Sequence, residues 1–268
     1  MQQYLHDFLI FIYRQAYACI FGFFLVFMII LTKYFYPLEG IMYRYDFLFL
    51  SALVFQGFLI ITKLESWREV GVIAMFHIVA MVMEVFKTHP SIGSWSYPWE
   101  FTIGIMHVPL FAGFMYSAVG SYIARVRRIL EFRFVQYPRK LYTIFIALAI
   151  YINFFTHHYI WDLRYIIIIC ILLTFWRSTI YFKPNKQYYS MNLAFWFLLV
   201  ATVIWIAENI ATSMRIWIYP AQTSMWHMVG IEKITAWFLL MIISFVLVSL
   251  IHPPKKYEKI RDTERALV

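Results

Sequence analysis

Charged side chains are scarce. Only 14% of the 268 residues are Asp, Glu, Lys or Arg, against about a quarter in a soluble domain. So little charge cannot cover a globule in water, which excludes an ordinary soluble fold and points to lipid as the solvent. Cysteine is nearly missing. Cys19 and Cys170 both sit inside apolar runs, which excludes a disulfide framework and a thiolate metal site. No Gly-rich phosphate loop, GxSxG elbow, CxxC pair or HExxH helix occurs, so the chemistries those motifs support have no foothold. The start of the chain lacks the short apolar core and cleavage site of a secretory signal, so the first apolar run is expected to stay as a helix. Linkers, low-complexity tracts and separate soluble segments are missing as well.

What fills the chain is apolar. Hydrophobic residues make up 63%, with a mean hydropathy of +0.69. A spanning helix needs about 20 mostly apolar residues. Eight runs meet that need: Tyr17–Tyr36, Tyr45–Thr62, Val70–Phe86, Phe101–Ile123, Leu141–His157, Leu163–Tyr181, Met191–Thr212 and Ile234–Ile251. Residues 1–16 either form an interfacial helix, with Leu5, Phe8, Leu9 and Ile12 on one face, or extend the first run. With eight crossings, 17 Lys and Arg fall on one side, among them Arg125–Lys140 and the tail, and 6 on the other. Cytoplasmic loops carry the excess. The expected location is therefore a bacterial cytoplasmic membrane with both termini inside. The basic loop is read as topology and anionic-lipid contact, not nucleic-acid binding.

One stretch has an echo. Glu84–His107 contains a Glu at the end of an apolar run, then Trp95-Ser96-Tyr97-Pro98; Glu208–Glu232 repeats the order with Trp217-Ile218-Tyr219-Pro220. Order and spacing agree, so an internal duplication is expected. The expected fold class is an all-α polytopic membrane bundle of eight transmembrane helices in two parallel four-helix repeats. It forms one integral membrane domain, with halves at 1–123 and 141–251 and a tail at 252–268.

Ionisable groups in a bilayer are costly and usually face the bundle interior. His77 and Glu84 lie seven apart on the third run, and Glu100 and His107 repeat that spacing on the fourth. Asn153 and His157 share a face of the fifth, and Glu208 and Asn209 end the seventh. Nearly all should lie in the outer half. Three readings stay open. Carboxylate and imidazole suit a divalent metal, although ligands scattered over separate helices name no metal. A buried Glu84, Glu100 or Glu208 would be a general acid toward a lipid-soluble substrate. The same groups would also serve as plain helix-to-helix ties. The candidate acids are Glu84, Glu208 and Glu100. The candidate ligand-binding residues are His77, His107, Asn153, His157, Asn209, Trp95 and Trp217. No cofactor is indicated. The expected partners are membrane lipid and an apolar small molecule.

The stretches from Lys63 to Phe101, from His107 to Arg125 and from Trp205 to Pro220 resemble the YoaT-like bacterial membrane family, a domain of unknown function. That resemblance implies a multi-pass membrane protein and no particular activity. Trp95-x-Tyr97, Thr102-Ile103-Gly104 and Val108-Pro109-Leu110 are more weakly similar to the repeated segment of carotenoid lycopene-cyclase and hydratase proteins. That likeness implies acid-catalysed addition or cyclisation at a polyene end, but the paired acids that follow Pro-Leu in the cyclases are replaced here by Phe111-Ala112. The leading expectation is a membrane enzyme or binding protein for an isoprenoid-like or acyl ligand in an outer-leaflet pocket. The alternative is a small-solute or proton-coupled transporter that uses the same acids.

Overall fold

A computed structural model describes residues 2–36 and 38–258. Its helices are α1 (Gln2–Ala18), α2 (Ile20–Tyr34), α3 (Arg44–Ile61), α4 (Trp67–Thr88), α5 (Phe111–Ile129), α6 (Lys140–Thr156), α7 (Arg164–Phe175), α8 (Leu193–Ser213) and α9 (Lys233–Ile251). Five short strands accompany them: β1 (Gly104–Ile105), β2 (Val108–Pro109), β3 (Arg133–Val135), β4 (Thr179–Phe182) and β5 (Tyr189–Asn192). The chain is therefore mostly helical but not all-α. Four helices (α3, α4, α8 and α9) are long and apolar enough to cross a membrane, or five spans if the bent pair α1–α2 counts as one.

Two runs differ from expectation. The run expected as a helix from Phe101 begins as the β1–β2 hairpin, and α5 starts only at Phe111. Asp46 is the reason: its buried carboxylate accepts the backbone N–H groups of Thr102 (2.8 Å) and Ile103 (2.9 Å). The run expected to end at Tyr181 stops at Phe175, because Thr179–Phe182 joins an antiparallel sheet in the order β3-β4-β5. That sheet defines one end of the bundle, here the sheet end. The chain breaks by 66° between α1 and α2. Asp7 of α1 is buried and accepts from Tyr189 (2.7 Å) and Asn185 (3.1 Å), while Arg14 donates to the Ile129 and Lys183 carbonyls. Leu5, Phe8, Leu9 and Ile12 are left facing outward. Residues 259–268, with most of the expected tail, lie outside the described residues.

Local chemistry sets the helix ends. Ser66 caps α4 and exchanges hydrogen bonds with Glu69, a reciprocal capping box that satisfies two orphan donors. Asn192 caps α8 by accepting from Ala194 and Phe195. The packing centre is α5 against α4. Small residues on α5 allow the approach: a Cβ on Gly113 would lie 2.5 Å from the His77 ring, and one on Gly120 would lie 2.8 Å from Phe76. Ser117 sits between them and donates to the Ile73 carbonyl at 3.0 Å. Overpacking of this kind costs about 1–3 kcal/mol. Gly113→Ala is therefore expected to lower the melting temperature. Gly71→Ala, where nothing lies within 4 Å, is expected to raise stability by about 0.5–1 kcal/mol, the ordinary gain of Ala over Gly in a helix. Parallel thermal melts in one detergent make the comparison.

Candidate functional site

The two echoed segments meet at the end opposite the sheet. Ser96 and Ile218 exchange both backbone hydrogen bonds at 2.9 Å each, as an antiparallel pair. These are equivalent positions of the two Trp-x-Tyr-Pro tetrapeptides, so each copy closes on the other. Further bonds fix the resulting cap. Trp99 donates to the Arg215 carbonyl at 2.8 Å and Tyr45 to the Ile216 carbonyl at 2.6 Å. Arg44 reaches the Met214 carbonyl at 3.1 Å. Trp95 packs edge-on against Tyr219, with ring centroids 6.3 Å apart.

Beneath the cap lie Glu84 and Glu208, both buried. Glu84 Oε2 accepts from the Trp95 indole (2.8 Å) and the Tyr97 hydroxyl (2.7 Å), and Oε1 faces Tyr116 at 2.7 Å. Glu208 Oε2 accepts from the Trp237 indole (2.7 Å), and Oε1 faces Tyr219 at 2.6 Å. Each glutamate ends the first helix of a pair. Each binds a tyrosine of the following tetrapeptide and an aromatic on the next helix, Tyr116 of α5 or Trp237 of α9. Those two rings stand 6.5 Å apart. An indole N–H only donates, whereas a phenol donates or accepts. Oε2 is thus fixed as an acceptor in both residues, and the oxygen free to carry a proton is Oε1, facing a tyrosine. Burial and Glu208, with Glu84 adding, hold the Tyr219 hydroxyl well above the usual phenol range.

Lys87, one turn beyond Glu84, turns away from the cap carboxyls. It is buried and donates to His158 Nε2 (2.7 Å) and toward His157 Nε2 (3.4 Å), with Nζ 4.3 Å from the Phe154 ring centroid. His157 Nδ1 donates to the Asn153 carbonyl at 2.9 Å, which leaves its Nε2 as an acceptor. Asn153 in turn donates to Asp162 (3.0 Å) and accepts from Leu163 N–H (3.0 Å), pinning the turn before α7. Burial, then Lys87 and His157, push His158 down to about 4 from an ordinary 6.5. The sign follows from proton binding. Between those values the unfolded chain binds more protons, so this group's contribution is present above 6.5 and is lost as pH falls toward 4. Thermal melts from pH 7 to pH 4 should show that loss, and His158→Gln should flatten it.

The structure separates several expected partners. Glu100 is exposed in the loop before the hairpin, and His107 is exposed at its turn, not on a helix beside Glu84. His157 belongs to the Lys87 group. His77 packs between Gly113 and Phe114 (centroids 5.0 Å apart). Asn209 accepts from Val229 N–H at 2.8 Å and holds the second cap loop. Trp217 packs against the α2–α3–α5 core. The expected convergence of Glu84, His107, His157 and Glu208 on one point is thus replaced by two neighbouring groups. Among the described residues, no three His, Cys, Asp or Glu side chains are placed to hold a metal ion.

The sheet end carries a buried ion pair of its own. Buried Arg125 binds buried Glu65, which also accepts from Ser121 and Gln56. Ser117, Ser121 and Arg125 recur every four residues, so they line the α5 face that meets α4. Arg125 Nε and Nη1 and Gln56 Oε1 are buried without a hydrogen-bond partner. One turn on, half-exposed Arg128 pairs with Glu69 at 3.2 Å. Two cavities flank the bundle. One of about 670 Å³ lies by the sheet, lined by Phe134, Tyr137, Lys140, Val246 and Pro253 among others. The other, about 480 Å³, runs along α4 at the cap end, lined by Val82, Val85, Phe86, Ile92, Phe155 and Tyr159 with His89 and Ser91.

Comparison with known proteins places this membrane chain. It is 40% identical over 206 residues to the uncharacterised protein YoaT of Bacillus subtilis (strain 168), covering 77% of each chain. Among solved structures it is similar to a mycobacterial Insig homolog, MvINS of Mycobacterium vanbaalenii. The TM-score is 0.49 at 11% identity, over 71% of this chain and 98% of that one. A cross-linked trimeric form of MvINS gives the same score at 12% identity, over 70% and 95%. The model of the family described as protein of unknown function DUF817 matches residues 7–245, and the chain belongs to that family.

Proposed function

We propose that the protein binds an apolar, acyl- or isoprenoid-type ligand at the cap end of a multi-pass bundle, with Glu84 and Glu208 as the protonatable core beside the site. The observation that carries this reading is the α4 segment from Val82 to Lys87. One face of it lines an apolar groove of about 480 Å³, and the other holds a buried carboxyl whose oxygens are filled by aromatic donors. Small-molecule sites are mostly apolar with few placed polar groups. Acid chemistry of the cyclase type would draw its proton from a tyrosine-facing Oε1. The test is native mass spectrometry of protein purified in mild detergent. The wild type should carry an acyl or isoprenoid species, and Val85→Trp, which fills the groove, should lose it. Retention by Val85→Trp, or a wild type with nothing bound, would contradict the reading.

A second reading, proton-coupled transport, draws support from the Glu65–Arg125 group. Buried polar groups then occupy both ends of the α4–α5 pair, with His77 between them. A transport path needs such groups at more than one depth.

The proposed topology keeps eight crossings, in two parallel halves, α2–α5 and α6–α9. The glutamates, the tetrapeptides and the Tyr116/Trp237 pair share a near-constant offset of 121–124 residues. The charge asymmetry puts the sheet end and both termini in the cytoplasm of a bacterial cell membrane. Single cysteines at exposed Ser91 and Met225 should then react with an impermeant maleimide on intact cells, and those at exposed Arg139 and Lys186 only after permeabilisation. The reverse pattern would overturn the orientation.

A further inference from the structure

We propose that Lys87, with His157 and His158, is the seat of an anionic phosphodiester headgroup whose acyl chain lies in the adjoining α4 groove. This rests on the groove being the ligand site and adds the chemical class of the ligand. Lys87 is 2% exposed, and among the described residues no carboxylate lies within 4 Å of its ammonium. Its hydrogen-bond partners are imidazole nitrogens, which bring no counter-charge. The charges that bear on it are Lys233, Arg164 and Asp162, two of its own sign and one opposite. Asp162 is already bound to Arg164 at 3.2 Å. Lys233 stands with Nζ 4.2 Å from the Tyr219 ring centroid. Buried charges are normally paired, and this group is short of negative charge.

The place of the deficit selects the ligand. His157 and His158 are half-buried, and Ser94 Oγ comes within 3.5 Å of His158 Nε2, so the group opens at the cap end through these side chains. Phe86 joins it to the groove. Its ring meets His158 (6.0 Å between centroids), Phe155 (4.8 Å) and Tyr159 (6.4 Å), and it lines the apolar wall. A molecule that satisfies both parts has a singly charged anionic head and a chain of apolar carbon. A lysine ammonium binds a phosphate oxygen as a point charge, through a charge-assisted hydrogen bond. A free anion would fill the polar end and leave the groove unused.

Delipidated protein in mixed micelles with equal phosphatidylglycerol and phosphatidylcholine of matched chains provides the test, read by native mass spectrometry. The wild type should retain phosphatidylglycerol over phosphatidylcholine by about tenfold, the ratio that about 1.4 kcal/mol of head recognition gives. Lys87→Gln should keep lipid adducts but lose the preference, and Lys87→Arg should restore most of it. Val85→Trp should lose both lipids, whatever the head. A Lys87→Gln protein with its preference intact overturns the headgroup seat alone. A wild type that holds neither lipid overturns the groove reading as well. Displacement of phosphatidylglycerol by inorganic phosphate alone overturns the lipid as occupant.

Discussion

Glu84→Leu is expected to unlatch the first cap loop. Three half-buried donors, Trp95 N–H, Tyr97 O–H and Tyr116 O–H, lose the one acceptor each has among the described residues. Each donor left unpaired costs about 1–3 kcal/mol. At roughly 2–4 °C per kcal/mol for a chain of this size, the melting temperature should fall by about 10 °C or more. Glu84→Gln discriminates further. Its amide oxygen still accepts from Trp95 and Tyr97, and its NH2 donates to the Tyr116 oxygen. It thus mimics a carboxyl protonated on Oε1 and should cost far less. A Leu variant no less stable than the Gln variant would show that the aromatic cage does not hold the loop. Loss of ligand in the Gln variant without loss of stability would assign the carboxyl to function as well as to the latch.

The second large effect lies at the sheet end. Arg125→Met strands the Glu65 carboxylate among Ser121 and Gln56 in a buried site. Removing one partner of a buried ion pair costs about 3–5 kcal/mol, whereas replacing both by apolar residues is often neutral. The double variant Glu65→Met/Arg125→Met should therefore recover most of the loss, helped by removal of the two unpartnered guanidinium nitrogens. Arg128→Ala should cost at most about 1 kcal/mol, because its pair with Glu69 is half exposed. Melts of the wild type, Glu65→Met, Arg125→Met and the double variant form a double-mutant cycle. Additive single effects would show that Glu65 and Arg125 do not act as a pair.

The sequence exposes some of this directly and conceals the rest for identifiable reasons. The apolar runs give α2, α3, α4, α6, α8 and α9 to within a few residues at each end, because hydrophobic length is a one-dimensional signal. It fails at Phe101 and at Thr179, where side-chain acceptors and strand pairing override apolar character. Asp46, forty residues and more from the backbone it caps, carries no local mark of that role. Glu84 and Glu208 stand out because a buried acid in an apolar run is expensive. Their tyrosine partners at 97 and 219 lie inside the echoed tetrapeptide. Tyr116 and Trp237 lie at the same offset on the next helices, but as different residue types, so the echo hides them. The apolar run from Phe101 takes His107 into a helix that begins only at Phe111. Arg125 opens the stretch that reads as a basic loop, and only the turn of α5 brings it to buried Glu65. Nothing local in the sequence marks Lys87 as buried. Its burial against His157 and His158 depends on α6 and α7, far along the chain.

The central claim is that the two halves close on each other at the cap, over Glu84 and Glu208. Ser96 and Ile218 form a hydrogen-bonded antiparallel pair, whose Cα atoms in such pairs lie about 5.5 Å apart, within the reach of a disulfide. The direct measurement is oxidative cross-linking of the Ser96→Cys/Ile218→Cys protein, with Cys19 and Cys170 replaced by serine and free thiols counted by a mass-tagged maleimide. The account predicts that mild oxidation removes both thiols within one chain, while either single cysteine stays fully reactive. Two thiols that remain reactive after oxidation, or that join only between chains, would contradict it.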